Sequence, residues 1–321
     1  MGDVSRELPP VVPENHPARS GPSLLTNLHS DRVRHVRGLV ARAGRRRAGR
    51  FLAEGPQAVR EAVRCTPWLV RDVYLTPEAV ERHPEIAEDA SGLYVHLASP
   101  AVLDAMSADA QGVLAVVDLP AEGVPAERLT GPLAAAALPE VLAGRPRLVA
   151  VLARVRDPGN AGTVIRVADA AGADAVVIAG DSVEATNPKV VRSTAGSLFH
   201  LPVVSGVPVA EAVAAVRGAG LTVLAADGAG DLDLDDLQDA AARAGGAAPV
   251  DAVAAAGVTP GDPDLRAATA WLFGNEAWGL PAVDRDLADA VVRVPLRGRA
   301  ESLNLGTAAA VCLYASSRAH R

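Results

Sequence analysis

Along the second half of the chain, short, mainly apolar runs alternate with stretches in which apolar residues return every three or four positions. Runs such as 149–153, 269–273 and 291–294 are too short for helices and are bounded by Gly, Pro and Asn. That is the pattern of strands buried on both faces. The rhythm predicts strands near 148–153, 174–178, 221–225, 269–273 and 290–294, with helices near 161–172, 189–197, 208–218, 282–288 and 305–318. Such alternation is the signature of a parallel sheet flanked by helices, so the expected fold class is α/β.

Upstream, residues 28–118 read as a second, smaller α/β unit. Val33, Val36 and Val40 fall at helical spacing beneath an arginine-rich face. The segment 51–55 leads into a helix at 57–63, and 73–75 and 112–117 read as strands. Residues 1–27 are polar and Pro-containing, the composition of a disordered tail. Residues 119–146, rich in Ala, Pro, Gly and Leu, read as a linker, with a short helix as the alternative. The main unit then covers 147–321, interrupted at 228–266 by a low-complexity Ala/Asp/Gly/Pro segment expected as a flexible acidic insertion.

At 321 residues and 49% apolar content, the chain is long enough for two cores. Its apolar runs are too interrupted to cross a membrane, and the first twenty residues lack the apolar stretch of a secretory signal. Cys65 and Cys312 have no metal-ligand or Cys-x-x-Cys spacing, so no metal is expected and a cytoplasmic location is. The net charge of −7 conceals two opposed clusters. Eight arginines and a single acid lie between Asp31 and Arg50, whereas Asp227 to Asp239 holds six aspartates and no base. Arginine is the commonplace cation of this chain, with Lys189 its one lysine, so clustering carries more weight than identity. The basic cluster points to RNA, with Arg37, Arg45, Arg46 and Arg47 as candidate phosphate contacts.

Three strands run straight into loops of Gly, Asn, Ser and Pro, and loops at strand ends are where parallel α/β sheets hold small ligands. The first loop, 154–160, ends at Asn160, a suitable helix cap, with Arg166 six residues beyond it. The second, 274–280, offers tight glycine backbone suited to a neutral polar ligand such as an adenine edge. The third, 295–305, carries Ser302 and Asn304 ahead of a helix rich in small residues. A fourth segment, 187–202, places Lys189 and Arg192 by a glycine turn, where Arg192 either meets a phosphate or pairs with a carboxylate. Each loop taken singly is equally an ordinary cap or turn. No Gly-x-Gly-x-x-Gly or P-loop sequence stands at a strand–helix junction, and Ser302 has no nucleophile elbow.

Taken in order, the four segments resemble the SpoU family of SPOUT methyltransferases, which transfer a methyl group from S-adenosylmethionine to ribose 2′-hydroxyls of structured RNA. Asn160 and Arg166 match its first motif, Gly274–Leu280 its second, and Pro295–Asn304 its third. Arg192–Phe199, which reads Arg-Ser-x-x-Gly-x-x-Phe, resembles a further segment of the family. Residues 28–118 more loosely resemble the ribosomal-protein-like RNA-binding domain that often precedes this unit. The chain departs from the family at Ala277, where a glycine is usual, and in the insertion at 228–266.

The resemblance implies a trefoil-knotted parallel-sheet domain, a homodimer, and S-adenosylmethionine bound by Gly274, Asn275, Glu276, Leu296, Ser302 and Leu303. It implies a catalytic set of Arg166, Asn160, Ser302, Asn304 and Glu276, with Arg192 joining the RNA contacts. Large-subunit ribosomal RNA is the expected substrate. A transfer-RNA methyltransferase of the same family and a non-catalytic RNA-binding protein stay open as alternatives.

Overall fold

In a computed structural model the chain is described over residues 23–120, 125, 128–245, 261–275 and 278–321. The first unit comprises α1 (Asp31–Gly38), α2 (Arg42–Ala48), β1 (Arg50–Glu54), α3 (Pro56–Cys65), β2 (Val70–Leu75), α4 (Pro77–Arg82), α5 (Pro84–Asp89), β3 (Val95–Leu97), α6 (Pro100–Met106) and β4 (Val113–Asp118). Its four strands form a mixed sheet in the order β1-β4-β2-β3. Side chains alternate across it. Phe51, Ala53, Val73 and Leu75 face α3, whereas Leu52, Tyr74 and Leu114 pack with Val33 and Val36 of α1 and Leu103 of α6.

The second unit comprises β5 (Gly131–Ala134), α7 (Leu138–Ala143), β6 (Leu148–Ala153), α8 (Pro158–Ala170), β7 (Ala175–Ala179), α9 (Pro188–Ser193), β8 (Pro202–Val207), α10 (Val209–Gly218), β9 (Thr222–Ala226), β10 (Leu232–Asp233), α11 (Leu234–Gly245), β11 (Thr269–Phe273), α12 (Ala282–Arg285), β12 (Ala290–Arg293) and α13 (Leu305–Ala319). The sheet has eight strands in the order β10-β12-β9-β11-β6-β7-β8-β5. Every pairing in it is parallel. Leu148, Ala150 and Leu152 of β6 face α8, α9 and α13, while Val149, Val151 and Ala153 face α7 and α10. Burial on both faces explains why the strands read as unbroken apolar runs. No helix among the described residues is long and apolar enough to cross a membrane.

The structure corrects three expectations. Residues 119–146 are not simply a linker, because β5 pairs with β8 at the edge of the sheet and α7 packs beneath it. The segment 228–266 is not wholly a solvated excursion. Arg293 of β12 ion-pairs with Asp233 of β10, and α11 buries Leu234, Leu237 and Ala241, a helical repeat hidden in low-complexity sequence. Within the expected tail, Leu25 pairs with the strand end at Ala98, accepting from Ser99 and donating to Leu97. Residues 1–22 and 246–260 lie outside the described residues.

The two units share one apolar core. Phe51 of β1 stacks on Phe199 with ring centroids 6.3 Å apart, and α9 lies against β1. Glu54, whose side chain is 2% exposed, accepts from Arg192 and from Ser107, and Arg192 also reaches Asp109 at 3.0 Å. Gly196 has φ +102°, and a Cβ there would lie 2.5 Å from Cγ of Glu61. Only glycine meets both demands. His200 then bridges Asp169 and Glu61 at 2.8 and 3.3 Å. Burial would raise the Glu61 pKa, but hydrogen bonds from Arg60 and His200 hold it below the ordinary carboxylate value.

The Arg192-to-Phe199 segment is therefore the joint between units, and Arg192 is engaged by carboxylates rather than presented to RNA. Replacing Arg192 with Ala leaves a buried carboxylate without its cation, a change that costs about 3 kcal/mol. The expected readout is a lowered urea-unfolding midpoint. Arg192→Lys should restore only part of it, since one ammonium cannot bridge Glu54 and Asp109 as the guanidinium does.

Candidate active site

Because all eight strands are parallel, the carboxyl ends of β6, β9, β11 and β12 lie along one edge, and the three loops start there. Arg154, the first residue past β6, adopts the left-handed conformation at φ +56°. Its guanidinium grips Asp284 of α12 through two bonds, Nε to Oδ2 at 2.5 Å and Nη2 to Oδ1 at 3.1 Å. Asp284 is 4% exposed, and its charge and hydrogen bond raise the Arg154 pKa above its ordinary value. The Arg154 carbonyl accepts from Nδ2 of Asn275 at 3.0 Å. The first loop is thereby tied to the second.

Helix α8 begins at Pro158, three residues earlier than the sequence suggests, and its cap is Asp157 rather than Asn160. Asp157 Oδ1 accepts from the Asn160 amide at 2.7 Å. With capping done by Asp157, the Asn160 side chain is left to accept from Asn304 Nδ2 at 2.9 Å. Asn304 in turn caps α13, its Oδ1 taking the Gly306 amide at 2.9 Å. This pair of amides joins the first loop to the third. Asn160, Thr163 and Arg166 follow one another at three-residue spacing along α8, and none of them is buried. Arg166 makes no hydrogen bond or ion pair among the described residues.

Around the second loop, Asn275 is buried and pairs with Gly279 through two backbone bonds of 3.0 and 2.9 Å. A Cβ on Gly274 would lie 2.4 Å from the Gly279 carbonyl carbon, so the hairpin closes only on a glycine. Glu276 and Ala277 lie outside the described residues. In the third loop Leu296 and Ser302 are exposed and Leu303 is half-buried. Sequence reading overlooked Arg154, its partner Asp284, and Asp227, which closes β9 beside Gly279. Arg154 stood at a strand end and was open to discovery. Asp284 carried no local signal.

Of the proposed RNA contacts, Arg37, Arg46 and Arg47 are exposed. Arg45 is 4% exposed, donates to the carbonyls of Leu39 and Val40, and pairs with Glu184 at 2.7 Å. It holds α2 against the second unit and is not free to take a phosphate.

A parallel sheet that gathers three loops at adjacent strand ends, with an exposed arginine on the helix after the first, defines an α/β protein with a candidate small-ligand site. Residues 147–314 match the SpoU rRNA Methylase family, and residues 30–115 match the MRM3-like substrate binding domain. The chain belongs to the SpoU family. It is 36% identical over 170 residues to the 23S rRNA (uridine(2479)-2′-O)-methyltransferase of Streptomyces viridochromogenes, covering 51% of this chain and 50% of that one. It is 29% identical over 285 residues to the 23S rRNA (guanosine(2553)-2′-O)-methyltransferase RlmP of Bacillus subtilis, covering 89% of this chain and 95% of that one. The crystal structure of the SpoU methyltransferase AviRb from Streptomyces viridochromogenes with AdoMet superposes with a TM-score of 0.67 at 30% identity, covering 90% of this chain and 98% of that one.

The close contact of α13 with α8 predicts a test. A Cβ on Gly306 would meet Thr163 Cγ2 at 2.5 Å. Gly306→Ala is expected to push α13 off α8 at a cost of about 1–3 kcal/mol. The Asn160–Asn304 bond should open with it. Thermal unfolding checks the stability, and a Gly306→Ala, Thr163→Ser double variant should recover it.

Proposed function

We propose that this chain is an S-adenosylmethionine-dependent 2′-O-ribose methyltransferase of large-subunit ribosomal RNA. The observation that carries the reading is the Asn160–Asn304 bond, which brings the first and third loops together one helical stretch from an unpaired Arg166. The names of the relatives, 23S rRNA 2′-O-methyltransferases spanning most of this chain in one case, support the substrate. The domain match over 30–115 supports an RNA-holding role for the unit at 28–118.

The residues present suit the cofactor. A tight hairpin closed on Gly274, together with the exposed Leu296 and Ser302 of the third loop, offers backbone, apolar and hydroxyl groups and no phosphate-binding fingerprint. Gly274, Asn275, Leu296, Ser302 and Leu303 would hold S-adenosylmethionine, whose sulfonium supplies an electrophilic methyl group when bound; Glu276 joins this set by resemblance.

The protein's contribution is then position and charge. A weakly acidic hydroxyl must be fixed close to its target and its developing negative charge stabilised. Arg166 stays charged at any working pH. It clamps the neighbouring phosphate and favours the ionised 2′-oxygen, while Asn160, Ser302 and Asn304 orient the sugar.

The same reading includes a homodimer and a cytoplasmic location. Val311 and Tyr314, exposed three residues apart on α13, supply apolar surface for a second copy. It also includes a threaded carboxyl end. β12 lies beyond β9 from β11, yet α13 returns to pack on α8, so the chain passes β9 twice, once on the way out and once on the way back.

Arg166→Ala is the deciding variant. Methyl transfer from radiolabelled S-adenosylmethionine to protein-free 23S rRNA should fall by about 100-fold or more. Cofactor affinity by calorimetry should stay within about twofold, because Arg166 is assigned to the sugar and not to the methyl donor. Equal loss of both would remove Arg166 from that role.

A further inference from the structure

A broad concavity lies on the first unit, away from the strand-end loops. It is a groove of about 1100 Å³ between α1, α2 and the outer ends of β1 and β2. Five arginines line it (Arg32, Arg34, Arg47, Arg50 and Arg71) against two aspartates, in a chain whose net charge is −7. Both aspartates are already engaged. Asp118 takes Arg50 at 2.7 Å with Arg71 3.8 Å away, and Asp72 takes His96 at 2.7 Å. Arg47 has no ion pair among the described residues, and Arg34 pairs with the exposed Asp31 and donates to the His29 carbonyl at 2.5 Å. Positive charge therefore outlasts the internal pairing.

The groove also carries aromatic surface. Tyr94 is 51% exposed at its rim. Beneath, Tyr74 and His96 stack with centroids 4.9 Å apart, and Arg32 Nη1 lies 3.0 Å from His96 Nδ1. An A-form duplex offers phosphates and 2′-hydroxyls to a protein but no free base faces. An exposed ring beside cations suits splayed bases instead, since stacking on a ring is available to any base and cations track the backbone.

We propose that this groove holds unpaired nucleotides of the substrate RNA, with Tyr94 as the stacking platform and Arg34, Arg47 and Arg71 on the phosphates. The proposal rests on the RNA-methyltransferase reading and refines it. Arg37 and Arg46 lie outside the groove, so the RNA-facing surface is set by the enclosure that α1 and α2 make with β2 and not by the arginine run as such. The groove opens on the α1 side of the small sheet, opposite α3, leaving the joint to the methyltransferase unit undisturbed.

The test is fluorescence anisotropy of the full chain with a labelled single-stranded RNA 12-mer and with a hairpin of the same length. The single strand is expected to bind more tightly. Tyr94→Ala should weaken it about tenfold, and Tyr94→Phe should restore it. Arg47→Gln with Arg71→Gln should flatten the dependence of log affinity on log salt by about 1.4. Unchanged binding by these variants, or preference for the hairpin, overturns the groove assignment. Calorimetry with S-adenosylmethionine and transfer to 23S rRNA run alongside. Wild-type transfer with groove variants of unaltered KM sinks the groove alone, whereas absence of both cofactor binding and transfer in the wild type sinks the enzymatic reading.

Discussion

The packing of α13 on α8 is the contact on which the site depends. Gly306 lets the two helices approach until Thr163 touches the backbone, and only at that distance do the Asn160 and Asn304 amides meet at 2.9 Å. Each amide is positioned by a separate device. Asp157 caps α8 and frees Asn160, and Asn304 uses its oxygen on the Gly306 amide while its nitrogen faces Asn160. A parallel sheet brings the loops to one edge, but this contact holds two of them in register.

A second clamp secures the loop between them. Arg154 lies in left-handed backbone, gives its carbonyl to Asn275 and its guanidinium to the buried Asp284. A bidentate pair of this kind fixes direction as well as distance. With both clamps closed, Arg166 is left exposed on the later turns of α8, without an ion pair among the described residues and available to an external anion.

The same economy of parts runs through the domain joint. Residues 187–202 look like a phosphate site in sequence, because Lys189 and Arg192 lie near a glycine turn. In space the turn is pressed against Glu61, and Arg192 spans Glu54 and Asp109. Arg45 repeats the lesson on α2, where Glu184 takes it. Arg47, by contrast, has no ion pair among the described residues and lines the groove on the small unit, whose enclosure depends on where α1 and α2 come to rest.

Much of the fold was legible because strands buried on both faces must be apolar throughout. β6 and β11 were located to the residue, and β7, β9 and β12 to within a residue, as were the ends of α10 and α13. β5 was missed since an edge strand tolerates Gly and Pro, β8 since Pro, Ser and Gly interrupt its apolar run, and α11 since its buried leucines lie in a run of Ala and Asp. The motif order alone determined the family resemblance and named Asn160, Arg166, Asn275 and Asn304. The tertiary structure decided which arginines are spent on carboxylates, that Asp157 rather than Asn160 caps α8, and that Asp284 anchors Arg154. Those outcomes turn on partners up to 142 residues distant, and local spacing carries no record of which charge a distant segment will bring.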